Sequence, residues 1–225
     1  MRLAEATTPE VYKHGGFSPR YGWVRKAYKH VKSNPGIFRS EDALVQLGVG
    51  KNMVEAIKFW GLASKVIVQS ANTSPSAKAT DFVPTYFGEA LFGDNGWDPF
   101  VEDPATLWLT HWFLFSPPSK LPIWWHAFSN FSATEFSSEE LVDSATGQIA
   151  QIADWKSPAK GSIQRDVITF LATYGPHNKI KSGLDDRVDS PLRQLHLLNR
   201  SATTAKYRFS NGLPSSLKPE IGTAI

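Results

Sequence analysis

The sequence predicts a mainly α-helical protein with short β-hairpins, and three observations carry that expectation. Amphipathic stretches at helical spacing recur from Tyr21 to Tyr174, each bounded by glycine, proline or a capping hydroxyl. Runs of β-branched and aromatic residues are few and short, and polar turn residues separate them. The 225 residues are 41% hydrophobic and 20% charged, the balance of a chain that buries a substantial core. Three segments are expected: a winged helix-turn-helix over 1–85, an acidic, aromatic-rich helical core over 86–155, and a basic helix with a wing-like hairpin over 156–225.

The elements follow in order. From Tyr21 to Lys32, Trp23, Ala27, Tyr28 and Val31 share one helical face, with Arg25, Lys26, Lys29 and Lys32 largely on the others. Asn34-Pro35-Gly36 stops that helix, because proline cannot continue it and glycine accepts the turn. Ser40 is placed to cap a second helix over Glu41–Leu47, whose acidic first turn suits the helix dipole. Gly48-Val49-Gly50 breaks it. A third helix runs from Lys51 to Leu62, with Met53, Val54, Ile57 and Trp60 inward and Lys51, Asn52, Glu55 and Lys58 outward. Helix, glycine turn and amphipathic helix is the helix-turn-helix order. Strands over Lys65–Gln69 and Asp81–Thr85, joined by a polar loop from Ser70 to Ala79, supply a wing. Such units bind either DNA or protein.

In the middle segment Pro104 suits the first position of a helix running to Phe115, with Asp103 as its cap. That helix is apolar nearly all round and is expected at the centre of the protein. A second aromatic helix, Pro122–Phe131, packs on it, and Ser137-Ser138-Glu139-Glu140 is a capping box for a third. The tryptophans read as core, with base stacking the alternative. In the last segment Ser162–Tyr174 is an amphipathic helix ended by Gly175-Pro176, and Ser190–Leu195 a short one. A hairpin over Leu197–Arg200 and Lys206–Phe209 turns at Ser201–Thr204. It puts Tyr207 and Phe209 on one face and Lys206 and Arg208 on the other. It is either a second wing or a solvated edge hairpin. The end at Ile225 carries no stop signal, so a longer protein is expected.

Charge is segregated along the chain. Residues 1–65 hold 11 Lys and Arg against 5 Asp and Glu, residues 81–155 hold one lysine against 11 acids, and residues 156–225 again hold 11 against 5. Two basic ends suggest a polyanion. The candidate DNA contacts are Arg20, Arg25, Lys26, Lys51, Asn52, Lys58, Arg193, Arg200, Lys206 and Arg208. There is no cysteine, which removes disulfides, thiolate metal sites and a cysteine nucleophile. No apolar leader or bilayer-length run is present, and a cytoplasmic protein is expected. Gly48-Val49-Gly50-Lys51-Asn52 lacks the first glycine and the hydroxyl of a phosphate-binding loop.

One cluster has acid–base or metal potential. Phosphodiester hydrolysis needs charge stabilisation and an activated water, commonly supplied by a divalent ion on carboxylates. Asp98, Glu102 and Asp103 are the candidate ligands of a magnesium or manganese ion, and His111 joins them as a candidate catalytic residue, with His126 nearby. The competing reading makes Asp103 a helix cap and the histidines satisfied core residues.

Four motifs carry a resemblance. His14-x-x-Phe17-x-Pro19-Arg20-x-Gly22-Trp23, Leu47-Gly48-Val49-Gly50-Lys51-Asn52-Met53-Val54, Gly96-Trp97-Asp98-Pro99 with Glu102 to Trp108, and Ser190-Pro191-Leu192-Arg193 together resemble the SspB-type DNA nickase family of bacterial DNA phosphorothioation (antiphage defence) systems. The resemblance runs from His14 to Phe209. It implies a nickase of duplex DNA that works with an ATPase and a sulfur-transfer protein. It assigns no catalytic residue, so the acidic cluster stands on its chemistry alone. Two functions remain open: a metal-dependent nickase, and a non-catalytic winged-helix adaptor that recruits the sulfur-transfer machinery.

Overall fold

The computed structural model describes residues 1–71, 80–176, 190–201, 204 and 206–210. Most of the expected wing loop, part of the second hairpin's turn and the end at Ile225 lie outside the described residues. The chain is mainly helical with two short antiparallel hairpins. After α1 (Leu3–Ala6) come α2 (Trp23–Ser33), a turn of 3-10 helix (Ile37–Arg39), α3 (Ala43–Leu47), α4 (Lys51–Ala63), β1 (Ile67–Gln69) and β2 (Phe82–Pro84). α5 (Tyr86–Phe92), α6 (Pro104–Phe115), α7 (Pro122–Ser129), α8 (Ser138–Ala150) and α9 (Lys160–Tyr174) follow. A second 3-10 turn (Pro191–Leu195), β3 (Leu198–Arg200) and β4 (Tyr207–Phe209) complete the order.

The first segment has the expected sequence of three helices and a hairpin. α2 buries Trp23, Ala27, Tyr28 and Val31, as its periodicity requires. It crosses α4 closely, because a Cβ on Gly61 would stand 2.6 Å from the Cβ of Ala27. The second helix begins later than expected. The 3-10 turn takes up Ile37–Arg39, and the Ser40 hydroxyl accepts only from the Asp42 amide, at 3.3 Å, without capping α3. Gly48 ends α3 in the left-handed region (φ 62°), and its amide reaches the carbonyls of Leu44 and Val45. That conformation is easy for glycine and strained for other residues. β1 and β2 pair with Val68 opposite Val83.

α5 is an element the periodicity did not single out. Thr85, expected as the end of a strand, instead caps α5 by accepting from the Gly88 amide at 3.0 Å. α6 starts as expected, with Pro104 in its first turn and Asp103 accepting from the Ala105 amide at 2.9 Å. Its burial differs from expectation. Thr106, Leu107, Trp108 and Leu114 face inward, whereas Trp112 is 44% exposed. The centre is occupied by α7 and α9 instead: the indole of Trp124 lies 5.4 Å from that of Trp60 and 5.6 Å from the ring of Phe170. One continuous hydrophobic core therefore draws on all three segments. The capping box at Ser137 and Glu140 forms in both directions.

Among the described residues no helix is long and apolar enough to cross a membrane.

Candidate nucleic-acid interface

The start of α4, just after the Gly48–Gly50 turn, gathers exposed polar groups. Gly50 is extended and offers no side chain to cap α4, so the helix begins abruptly at Lys51. Lys51 and Asn52 are exposed in its first turn. Lys58, about two turns further, is half-buried and paired with Glu55, which partly compensates its charge. Lys26 is also committed within the protein: its ammonium donates to the Leu47 carbonyl at 2.8 Å and holds the end of α3 on α2. Arg39 binds Asp81 at 2.7 Å and ties the first 3-10 turn to the start of β2.

The candidate cations of the last segment divide in the same way. Arg193 donates to the Ala172 carbonyl at 2.6 Å, and Arg200 lies 5.7 Å from the centre of the Tyr207 ring. Lys206 stands 3.6 Å from Glu140. Arg208 is exposed, opposite Asn199 in the β3–β4 register. Alternation works as expected here, for Phe209 stacks on Phe136 at 5.1 Å while Arg208 faces out. Of the ten candidate contacts, Lys51, Asn52 and Arg208 combine exposure with a polar head directed away from the core.

Arg20 and Arg25 converge elsewhere. Arg20 lies 5.2 Å over Trp23 and Arg25 4.4 Å over Phe100. Both line a small pocket where α2, α6 and the second 3-10 turn meet.

The acidic cluster does not assemble as a metal site. Asp98 is buried, and its two oxygens accept from the amides of Glu102 and Asp103, each at 2.9 Å, and from the Thr106 hydroxyl at 2.7 Å. Burial alone would raise this carboxyl. The donors of Glu102, Thr106, Asp103 and Val101 outweigh it and hold the group below its ordinary value. Asp103 is the α6 cap, and Glu102 is exposed. His111 is directed into a different environment: its Nδ1 lies in hydrogen-bond contact with the Tyr174 hydroxyl at 2.9 Å, and its ring packs on Trp108, Phe115 and Phe128. Burial pushes it down to about 3, so it is neutral at ordinary pH. His126 is buried against Ser144, with Nε2 at 2.9 Å from the hydroxyl, and burial lowers it too. Among the described residues no group of three or more His, Cys, Asp or Glu is arranged to hold a metal ion. The residues expected to bind magnesium or manganese thus do not fit one. Each carboxylate is either bonded to the turn that leads into α6 or directed to solvent.

A buried polar network was missed by the sequence reasoning. Asp166, on α9, accepts from Trp124 Nε1 at 2.7 Å, from His14 Nε2 at 3.2 Å and from the Tyr12 amide. Gly16 donates its amide to His14 Nδ1 at 3.1 Å, which assigns the proton of a neutral ring to Nε2. The signal was present, since Asp166 falls on the apolar face of α9 with Ile163, Val167 and Phe170. A carboxylate there requires internal donors. This network joins the loop before α2 to α7 and α9.

The family model described as Protein of unknown function (DUF4007) matches residues 12–225. The chain belongs to this family. A DUF4007 chain of this kind has solved counterparts: the crystal structures of SspB and of magnesium ion-bound SspB each match 98% of the chain, with a TM-score of 0.90 and 33% sequence identity. The chain spans 65% of the length of either SspB chain. The mainly helical architecture with two short hairpins is therefore that of an SspB-type protein. No curated protein matches this DUF4007 member.

Proposed function

We propose that the chain is an SspB-type DNA-binding protein that nicks one strand of duplex DNA in a phosphorothioation-based antiphage system. The observation that carries this reading is the likeness to SspB over nearly the whole chain at 33% identity. The exposed first turn of α4 supports it, since Lys51 and Asn52 stand where a winged helix-turn-helix meets the major groove. Segment 1–85 serves as the winged unit, and Arg208 on the second hairpin adds a further phosphate contact. The partners that follow from the reading are double-stranded DNA, an ATPase and a sulfur-transfer protein. The magnesium ion of the second SspB structure supports a divalent requirement for nicking. Asp98, Glu102 and Asp103 are not put forward as its ligands.

Conversion of supercoiled plasmid to the open circle in the presence of magnesium or manganese tests the reading. Nicking by pure protein is expected. Duplex binding without nicking at any divalent ion concentration sinks the enzyme reading and leaves the adaptor. The adaptor has its own support in Trp97 and Phe100, which are 66% and 64% exposed on the acidic segment and offer a docking face.

A further inference from the structure

Trp97 and Phe100 are large apolar side chains that the fold leaves in solvent, and the loop that carries them is firmly held. Asp98 accepts from the amides of Glu102 and Asp103 and from the Thr106 hydroxyl. The Trp97 amide donates to the Ala90 carbonyl at 2.9 Å, and the Val101 amide to the Asp98 carbonyl at 3.2 Å. Gly96 lies so close to the end of α5 that a Cβ there would stand 2.4 Å from the Leu91 carbonyl oxygen. Val101 is kept at φ 58°, in the left-handed region, which a β-branched residue adopts only where its surroundings impose it. These constraints fix the loop in a shape that buries neither ring. Single exposed apolar residues are ordinary, but two large aromatics on one rigid loop mark an interaction surface.

The chemistry around the rings selects the partner. Phe100 already carries a cation, the Arg25 guanidinium, 4.4 Å from its ring centre. Among the described residues no ring or cation is laid on Trp97, whose indole is the ring type that holds a cation best. Asp94 precedes Trp97 and Glu102 follows Phe100. Both are exposed, and neither pairs with a cation among the described residues. They belong to segment 81–155, with its one lysine against 11 acids. Such a field repels a phosphate chain and attracts a basic one. Tryptophan is also among the residues that most often anchor protein–protein contacts.

We propose that the loop displaying Trp97 and Phe100 docks a basic segment of a protein partner, with an arginine or lysine laid on the Trp97 indole and neighbouring cations on Asp94 and Glu102. The inference rests on the docking reading of this face given above and supplies the chemistry of its partner. It does not depend on nicking.

The probe is a short fluorescent peptide of arginine, leucine and glycine. Its control carries citrulline in place of arginine, which keeps the shape and removes the charge. By fluorescence anisotropy the arginine peptide should bind the whole chain about tenfold more tightly than the control. Trp97→Ala should weaken it about fivefold, and Asp94→Asn with Glu102→Gln about threefold with a smaller dependence on salt. A thermal melt by circular dichroism shows that each variant folds. Equal affinity for the two peptides overturns the proposal, as does unchanged affinity in folded Trp97→Ala or in the folded double variant. Fluorine NMR of fluorotryptophan-labelled protein reads the site directly, since the resonance lost in Trp97→Ala belongs to this indole. A saturable shift of that resonance with the arginine peptide supports the proposal. A shift with a single-stranded oligonucleotide instead makes the loop a base-stacking face, and a shift with protein concentration alone makes it a contact between copies; either overturns the proposal. Plasmid nicking is a separate readout on the same protein. Peptide docking without nicking supports the proposal and sinks the nickase reading, whereas nicking without peptide docking overturns the proposal alone.

Discussion

At the start of α4, Lys51 and Asn52 extend into solvent from a helix whose inner face is packed on α2. In the loop leading to α6, Asp98 turns inward and Asp103 binds the helix end that it precedes. Both places are short polar stretches at the entry to a helix, one in its first turn and one just before it, and both carry the charge that marks their segment. The difference lies in where the backbone leaves its amides. Gly50 provides no side chain for the amides of α4, so the neighbouring polar groups stay available to a partner. Around Asp98 a tight loop turns three donors onto one carboxylate, and the charge is consumed by the fold. Segregated charge along a sequence therefore has no fixed meaning: exposed ends can recruit a ligand, whereas bonded ones hold a loop.

The strongest test of this contrast is Asp98→Ala. Removing the acceptor of three donors in a buried loop should cost about 3 kcal/mol in urea denaturation. A variant of native stability that has lost only nicking would break the comparison and return Asp98 to catalysis. Acid titration gives a second, graded effect. His111 is held neutral with a value of about 3 against 6.5 when free, so below 6.5 the unfolded chain binds the proton that the folded one refuses. The stability is complete above 6.5 and falls as the pH drops towards 3, and denaturation midpoints that stay flat across that window would contradict the buried position. Asp98 acts in the opposite sense and lower down. Its carboxyl is depressed, so its contribution is present above the free value of 3.8 and is lost as the pH falls through the folded one. His111→Gln should therefore flatten the upper limb alone.

Smaller effects sharpen the other side. Lys51→Ala should leave the thermal melt in place and reduce the salt slope of duplex binding by about one. An unchanged slope, measured by titration at several salt concentrations, moves the contact surface away from α4. Least of all, Glu102→Ala should change stability by no more than about 0.5 kcal/mol, since its side chain is exposed. A larger loss would mean that the loop uses Glu102 as it uses Asp98.

Local signals in the chain were read well where one residue or one period decides the element. The helices at α2, α4 and α9, the cap at Asp103 with Pro104, and the capping box at Ser137 each depend on neighbours within a turn. Thr85 misled because a strand end and a helix cap place the same residue type in the same extended backbone. The acidic cluster misled for a related reason. Spacing brought Asp98, Glu102 and Asp103 together, but the direction of each carboxylate depends on which amides the folded loop turns towards it.

The sequence by itself determined that this protein is mainly helical, that α2, α3 and α4 precede a short hairpin, and that its charge is divided among three segments. These follow from periodicity, caps and composition, which act over a few residues. Only the tertiary structure decided that α7 and α9 rather than α6 fill the centre, that Asp166 binds His14 and Trp124 across 152 and 42 residues of chain, and that Arg20 and Arg25 share a pocket with α6. Such contacts depend on which faces meet. That choice is set by the fit of large aromatic side chains and by the need of each buried polar group for a partner, and neither is written within a single turn of helix.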